Sequence, residues 1–232
     1  MDSAVARRRQ IPDRSAAPKF LWPGAILLTS GVVLALVVLL ANEAVTASDR
    51  PFNEWWFDLA KSHPLLADYA AIAQRVGSGN VTGPIGVVFG VVLAVAKRWR
   101  WLTFFAVSAI GGLLISELFK HLIARPRPEW PDPFFTEDGY SFPSGHTLSG
   151  VTTWVAMGVV VMFLLPRAAG GIIGWLLVLI GVGMGPSRWL YGVHWITDVL
   201  GGWLLGFGWL LLVAGWCIRR WGDPPIRTPS SH

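Results

Sequence analysis

Turns and charges cut this chain into six apolar runs, each close to the length that crosses a bilayer. A transmembrane helix needs about 20 mostly apolar residues to cover about 30 Å of hydrocarbon. Runs at 21–42, 80–97, 100–120, 145–165, 170–190 and 195–218 qualify, some with help from flanking residues. In lipid every backbone amide must find an internal partner, which restricts spanning segments to helices or closed barrels, and runs this long are helical. The expected fold class is all-α: a polytopic membrane protein built as a six-transmembrane-helix bundle. Only 14% of the 232 residues are charged and 53% are hydrophobic, against about 25% charged in a typical soluble domain.

The breaks between runs carry turn chemistry. Gly77-Ser78-Gly79-Asn80 precedes the second run, Lys97-Arg98-Trp99-Arg100 divides the second from the third, and Pro166-Arg167 closes the fourth. Several of the fourteen tryptophans sit at run ends, as in the aromatic belts of bilayer proteins. The domain reading is a disordered cytoplasmic tail over 1–20, a six-helix membrane unit over 21–220, and a second cytoplasmic tail over 221–232. The first run could pass for a cleaved leader, but Gly24 to Ala41 is longer than the apolar core of a signal peptide, so it is read as retained. Between the first two runs, Trp55, Trp56, Leu59, Leu65, Leu66, Tyr69 and Ile72 recur at helical spacing, interrupted by His63-Pro64. One or two short amphipathic helices are expected over 52–75, lying in the outer interface or capping the bundle.

The formal charge of +5 is scattered over short loops. It therefore speaks of topology and membrane-surface anchoring, and no nucleic-acid partner is expected. With six spans both termini share a side. That side holds Arg7, Arg8, Arg9, Arg14, Lys19, Lys97, Arg98, Arg100, Arg167, Arg219, Arg220 and Arg227, twelve of nineteen basic residues, but only Asp2, Asp13 and Asp223 among the acids. The positive-inside rule places both termini in the cytoplasm and sends the loops at 120–143 and 187–195 outward. A lone Cys217 excludes an intrachain disulfide or a cysteine-based metal site and reads as packing.

Ionisable residues near span ends are costly unless paired or functional. Three clusters break the apolar rule, all on the outer side: "KHLIARPRP" at 120–128, "FPSGH" at 142–146 and "SRWLYGVHWITD" at 187–198. They supply Lys120, Arg127, Arg188, Ser144, the Gly145 amide, His146, His194 and Asp198. Three cations with hydroxyl and amide donors suit a phosphate. Ser144-Gly145-His146 opens a helix, where free N–H groups and the dipole favour an anion. His194 and Asp198, four residues apart, can share a helix face, so the carboxylate could fix one ring nitrogen and leave the other as a nucleophile. His146, from another helix, could protonate a leaving oxygen. The loop acids Glu129, Asp132, Glu137 and Asp138 are irregularly spaced and are read as solvated rather than metal-binding.

The pattern Lys-x6-Arg-Pro, Pro-Ser-Gly-His, Ser-Arg-x5-His-x3-Asp, here Lys120 to Arg127-Pro128, Pro143 to His146, and Ser187-Arg188 to His194 and Asp198, resembles that of the type 2 phosphatidic acid phosphatase family. The likeness extends over roughly residues 50–218. It implies a lipid phosphatase with no cofactor and no metal. His194 would form a phosphohistidine, oriented by Asp198. His146 would serve as proton donor and then activate water. Lys120, Arg127, Ser144, Gly145 and Arg188 would cradle the phosphoryl oxygens.

The expected function is dephosphorylation of a lipid phosphate or isoprenoid diphosphate (undecaprenyl diphosphate, phosphatidate or phosphatidylglycerol phosphate) at the outer face of a plasma membrane. The partners expected are the lipid substrate and the bilayer, with no obligate protein partner. A phosphotransferase on the same site and a non-enzymatic lipid-phosphate transporter are the alternatives. Arg125, two residues before Arg127, is left open: a second phosphate, Glu129 or Asp132, or a lipid headgroup could each engage it.

Overall fold

The computed structural model describes residues 14–222. The tail residues before 14 and after 222, with Arg7, Arg8, Arg9 and Arg227, lie outside the described residues. The first helix, α1, runs Ala17–Leu40, starting inside the stretch read as a tail. It is followed by α2 (Asn42–Ser62), α3 (Pro64–Gly77), α4 (Gly79–Val95) and α5 (Trp99–Ile123). After a loop come α6 (Gly145–Ser149), a π-helical stretch (Gly150–Val155) and α7 (Ala156–Leu164), then α8 (Arg167–Leu190) and α9 (Ile196–Trp221).

Five helical stretches are long and apolar enough to span a membrane: α1, α5, the continuous Gly145–Leu164 rod, α8 and α9. The sixth differs from expectation. At 17 residues α4 is the shortest of the expected spans, and it continues α3 across a 51° bend at Ser78, the geometry of a broken span or a re-entrant segment. The turn chemistry around Ser78 kinks this element rather than separating two. Exposed Leu113, Leu114, Leu118 and Leu122 on α5, and Ile172, Leu176 and Leu179 on α8, form lipid-facing stripes.

Lipid tails are as apolar as leucine, so the helices associate through close packing at small residues. Along α1 and α9 a methyl at Gly24 would come within 2.9 Å of the Leu212 amide, and one at Gly208 within 2.5 Å of the Leu28 amide. Gly150 lies against the Gly181 carbonyl, locking the rod that begins at Gly145 to the helix that carries Arg188. Beneath this end, Phe104, Phe105, Val151, Trp154, Met184 and Leu210 belong to one buried apolar cluster.

The amphipathic segment forms two helices divided at His63, as Pro64 requires, but α2 begins ten residues earlier than expected. Its buried face is Asp49, Asn53, Phe57 and Ala60, one residue per turn. Phe57 stacks on Trp130 at 4.9 Å and Phe52 meets Trp189 edge-on at 5.2 Å, so α2 caps the bundle.

Candidate active site

Three pieces of chain that are remote in sequence converge under this cap. The first follows α5. Ala124 adopts a left-handed backbone (φ 49°) that ends the helix, and Pro126 and Pro128 cannot resume it. The extended segment is pinned by Ser141 N–H to the Arg125 carbonyl (2.9 Å) and by Trp195 Nε1 to the Pro126 carbonyl (3.0 Å). Lys120, one turn before the end of α5, has its ammonium 3.5 Å from where a Cβ on Gly145 would stand. The missing side chain thus leaves the Gly145 backbone open beside a cation.

The second piece is the start of α6. Ser144 is the N-cap, accepting from Thr147 N–H (3.4 Å) and Thr147 Oγ1 (3.0 Å), while its own amide donates to the Asp198 carbonyl (3.0 Å). His146 Nε2 lies 3.3 Å from the Gln74 carbonyl of α3, which fixes the ring. The third piece joins α8 to α9. Arg188 is fully buried, bonds the Gln74 amide oxygen, and meets Glu137 at 3.0 Å. Its Nε is buried without a partner among the described residues, a guanidinium donor still available.

His194 precedes the helix rather than riding on it, because α9 begins at Ile196 with Trp195 as its N-cap. The helix-face argument for the His194–Asp198 pair therefore gives way to a capping argument. Asp198 is the third residue of α9, and its Oδ2 reaches back to accept from the N-cap Trp195 N–H at 2.8 Å. That bond folds the chain back so that Oδ2 stands 3.5 Å from His194 Nδ1. Nδ1 has no full hydrogen bond in this state, and a small ring rotation would close the gap.

On the opposite edge of the ring, Arg127 Nη1 lies 3.0 Å from His194 Nε2. A guanidinium can only donate, so Nε2 must present its lone pair and the proton of the neutral ring belongs on Nδ1, facing Asp198. Burial, followed by Arg127, depresses His194 well below its ordinary value. The residue is 1% exposed and stays neutral at physiological pH.

Two residues depart from the sequence reading. Glu137 is not a solvated loop acid: it reaches inward and bridges Arg127 (3.5 Å) and Arg188 (3.0 Å). Burial opposes its ionisation, but His194, Arg188 and Arg127 more than offset this and hold the carboxyl down at about 2. Glu129, Asp132 and Asp138 are exposed as expected.

Arg125 meets none of the partners considered for it. It turns inward and donates to Asp198 Oδ1 (2.7 Å) and Asp49 Oδ2 (2.9 Å), while Asp132 pairs with Lys61 instead. Burial pushes the Asp49 carboxyl up, against the pull of Thr197 and Arg125. A buried acid and a buried amide on one stripe of α2, Asp49 and Asn53, are the signal that sequence reasoning passed over.

Among the described residues no three His, Cys, Asp or Glu side chains gather as a metal ion would require. The eight expected residues are joined by a continuous run of contacts: Lys120 beside Gly145, Gln74 between His146 and Arg188, Glu137 between Arg188 and Arg127, and Arg127 on the ring of His194.

The sequence pattern of the PAP2 superfamily matches residues 101–221, which is over half of the chain and includes all three pieces. The chain belongs to the PAP2 superfamily. It is similar to phosphatidylglycerophosphatase B of Bacillus subtilis, with 28% identity over 189 residues, 78% of this chain and 89% of that protein. It is also similar to an undecaprenyl-diphosphatase of Sulfolobus acidocaldarius, with 31% identity over 121 residues, half of this chain and 55% of that one. The crystal structure of a transmembrane PAP2-type phosphatidylglycerolphosphate phosphatase from Bacillus subtilis superimposes with a TM-score of 0.73 at 25% identity, covering 84% of this chain and 96% of that one. The PAP2 match and the transmembrane relative of known structure agree with the multi-pass bundle described above.

Proposed function

We propose that this PAP2 protein removes a phosphoryl group from a lipid phosphate or isoprenoid diphosphate, without a metal ion, through a phosphohistidine on His194. The observation that carries the reading is the pair of contacts on the His194 ring: a guanidinium at Nε2 and a carboxylate facing Nδ1.

In the first step the Nε2 lone pair attacks phosphorus and the bond to the leaving oxygen breaks. That oxygen belongs to the lipid, or to an isoprenyl phosphate when the substrate is a diphosphate. It takes the Nδ1 proton of His146, which enters this step as the imidazolium because its Nε2–H is committed to the Gln74 carbonyl, and the ring is left neutral. In the second step water attacks the phosphohistidine, His146 takes a proton from it, and inorganic phosphate departs with His194 regenerated. Lys120, Arg127, Arg188, Ser144 and the Gly145 amide hold the phosphoryl oxygens, which is where most of the rate enhancement in such transfers arises. Glu137 occupies the space between Arg127 and Arg188 and gives way to the incoming phosphate.

A lipid substrate is supported by a half-open apolar cleft of about 220 Å³ between α3 and α8, lined by Tyr69, Ile72, Ala73, Leu179, Ile180 and Met184. Met184 and the His146 ring both lie against Gly77, so the cleft backs directly onto the site. An acyl or prenyl chain could lie there with its headgroup in the cup. The names of the two curated relatives, a phosphatidylglycerophosphatase and an undecaprenyl-diphosphatase, support the same substrate classes. The phosphatase unit is taken as 21–220 with its motifs within 120–198. The excess of basic residues beside the termini supports a plasma-membrane enzyme with both termini cytoplasmic and the site facing outward.

The test is phosphate release from phosphatidate, phosphatidylglycerol phosphate and undecaprenyl diphosphate by the purified protein in EDTA, with His194→Ala as control. The reading requires metal-free turnover of at least one of these, inhibition by vanadate and none with the variant. Turnover that needs added Mg²⁺, or that survives in His194→Ala, would contradict it.

A further inference from the structure

Behind His194, Asp198 is held by an arginine whose donors are all engaged within the chain. Arg125, with a side chain 0% exposed, gives Nη1 to Asp198 Oδ1 (2.7 Å) and Thr197 Oγ1 (2.7 Å). Its Nη2 goes to Asp49 Oδ2 (2.9 Å) and Thr46 Oγ1 (3.1 Å), and its Nε to Asn42 Oδ1 (3.2 Å). None of its five N–H groups is left for a phosphate. Thr197 closes the ring by donating to Asp49 Oδ2 at 2.5 Å. Asp49 Oδ2 thus accepts from both a guanidinium and a hydroxyl, and both favour the carboxylate form against burial, which pushes the carboxyl up.

The charge count gives this arrangement a purpose. A lone guanidinium on Asp198 would orient it but cancel its charge. Two carboxylates around one guanidinium leave one net negative charge behind the histidine. When Nε2 bonds to phosphorus while Nδ1 keeps its proton, the ring becomes a cation, and that negative charge stabilises it. The same helix also fixes the backbone on both sides of the N-cap: one turn beyond Asp49, Asn53 Nδ2 donates to the His194 carbonyl (2.7 Å) and Asn53 Oδ1 accepts from Ile196 N–H (3.0 Å).

We infer that Asp49 of α2 is a positioning residue for phosphoryl transfer, acting through Arg125 to keep Asp198 both aimed at His194 and electrostatically uncancelled. This inference rests on His194 being the nucleophile. It makes α2, which carries none of the family's motifs, part of the catalytic apparatus.

The experiment is steady-state kinetics on full-length protein in lipid vesicles for Asp49→Asn, Arg125→Lys, Arg125→Met, Asp198→Asn, the double variant Asp49→Asn/Asp198→Asn, and His194→Ala. Asp49→Asn is expected to lower kcat about 10- to 100-fold, the scale on which groups orienting a histidine through its other nitrogen act at metal sites. KM should move less than about threefold, because no phosphate contact is touched. Arg125→Lys, which keeps the charge, should retain more activity than Arg125→Met. In the Asp198→Asn background the Asp49 substitution should cost no more than about twofold, since the group it acts through is already neutral. A wild-type kcat in Asp49→Asn overturns the inference, and so does a full additional loss in the double variant. Should Asp49→Asn not fold, Thr197→Val removes the hydroxyl joining Arg125 to Asp49. It is expected to show a smaller kcat loss that disappears with Asp198→Asn, and a loss that persists there is equally contrary. Turnover in His194→Ala would instead remove the nucleophile, a separate failure recognisable without the Asp49 variants.

Discussion

Arg125 and Arg127 lie two residues apart in the repeat Arg-Pro-Arg-Pro and belong to opposite sides of His194. Arg127 stands in front of the ring, with Nη1 on Nε2 and its other donors on the carbonyls of Val193, Gly139 and Tyr140 and on Glu137. Arg125 stands behind, sealed between Asp49 and Asp198. In an extended segment alternate residues face the same way, yet the left-handed Ala124 and the two flanking prolines break that regularity and let the arginines diverge. In front, charges are held by groups that can be exchanged for a phosphate. Behind, they are held by groups that cannot leave without stranding a buried ion. Substrate recognition needs the first arrangement, and a fixed nucleophile needs the second.

The sharpest break of this comparison is the ring between the two sides. His194→Ala should lower kcat by at least on the order of 10⁴-fold while the protein still inserts and melts cooperatively, since it removes the proposed nucleophile, which both sides touch. Next come the arginines themselves. Arg127→Ala should cost about 10² to 10³-fold in kcat, the scale of losing one donor to a charged transition state, with little change in thermal stability. Arg125→Ala should lower stability by about 3–5 kcal/mol, because it leaves Asp49 and Asp198 buried without their counter-charge. Melting curves of the two variants side by side check this, and equal destabilisation would erase the distinction.

A smaller effect concerns pH. His194 is depressed below its ordinary 6.5, so Nε2 stays unprotonated and the acid limb of kcat/KM should lie below that value. The sign for stability follows from linkage. Below pH 6.5 the unfolded chain takes up a proton that the folded one refuses, so stability should fall as pH drops through that window. A pH titration of kcat/KM and of the melting temperature checks both. The smallest effect is expected at Glu137, the acid that bridges the two front-side arginines. Glu137→Gln removes the carboxylate that competes with phosphate for Arg127 and Arg188, and should tighten vanadate inhibition by about tenfold or less. An unchanged or weaker inhibition constant would mean that Glu137 does not occupy the anion seat.

How much of this could be read from the sequence follows the same front-to-back division. Hydropathy located the apolar helices to within a few residues, α4 included, but not the 51° bend that joins α3 to α4, because a bend needs packing partners that periodicity does not encode. The front of the site was legible: Lys120, Arg127, His146, Arg188 and His194 stand out as charges against an apolar ground. The back was not. Asp49 and Asn53 lie in a stretch of mixed polarity where a buried acid and a solvated one look alike, and the partner that distinguishes Asp49 is 76 residues away. Glu137 was missed for a related reason, since a loop acid shows its inward turn only when the cations it meets are in place. The Asp198 geometry was anticipated for an incomplete reason: four-residue spacing suggested a shared helix face, whereas the capping bond to Trp195 N–H brings the two side chains together.

The most direct test is to mix the protein with lipid phosphate labelled at phosphorus, quench within milliseconds in alkali, and map the label by peptide mass spectrometry. The account predicts an acid-labile, alkali-stable phosphoryl group on His194, formed and lost at rates compatible with turnover and absent in His194→Ala. Label on another residue, or full turnover in conditions where no phosphoenzyme can be trapped at any quench time, would contradict it.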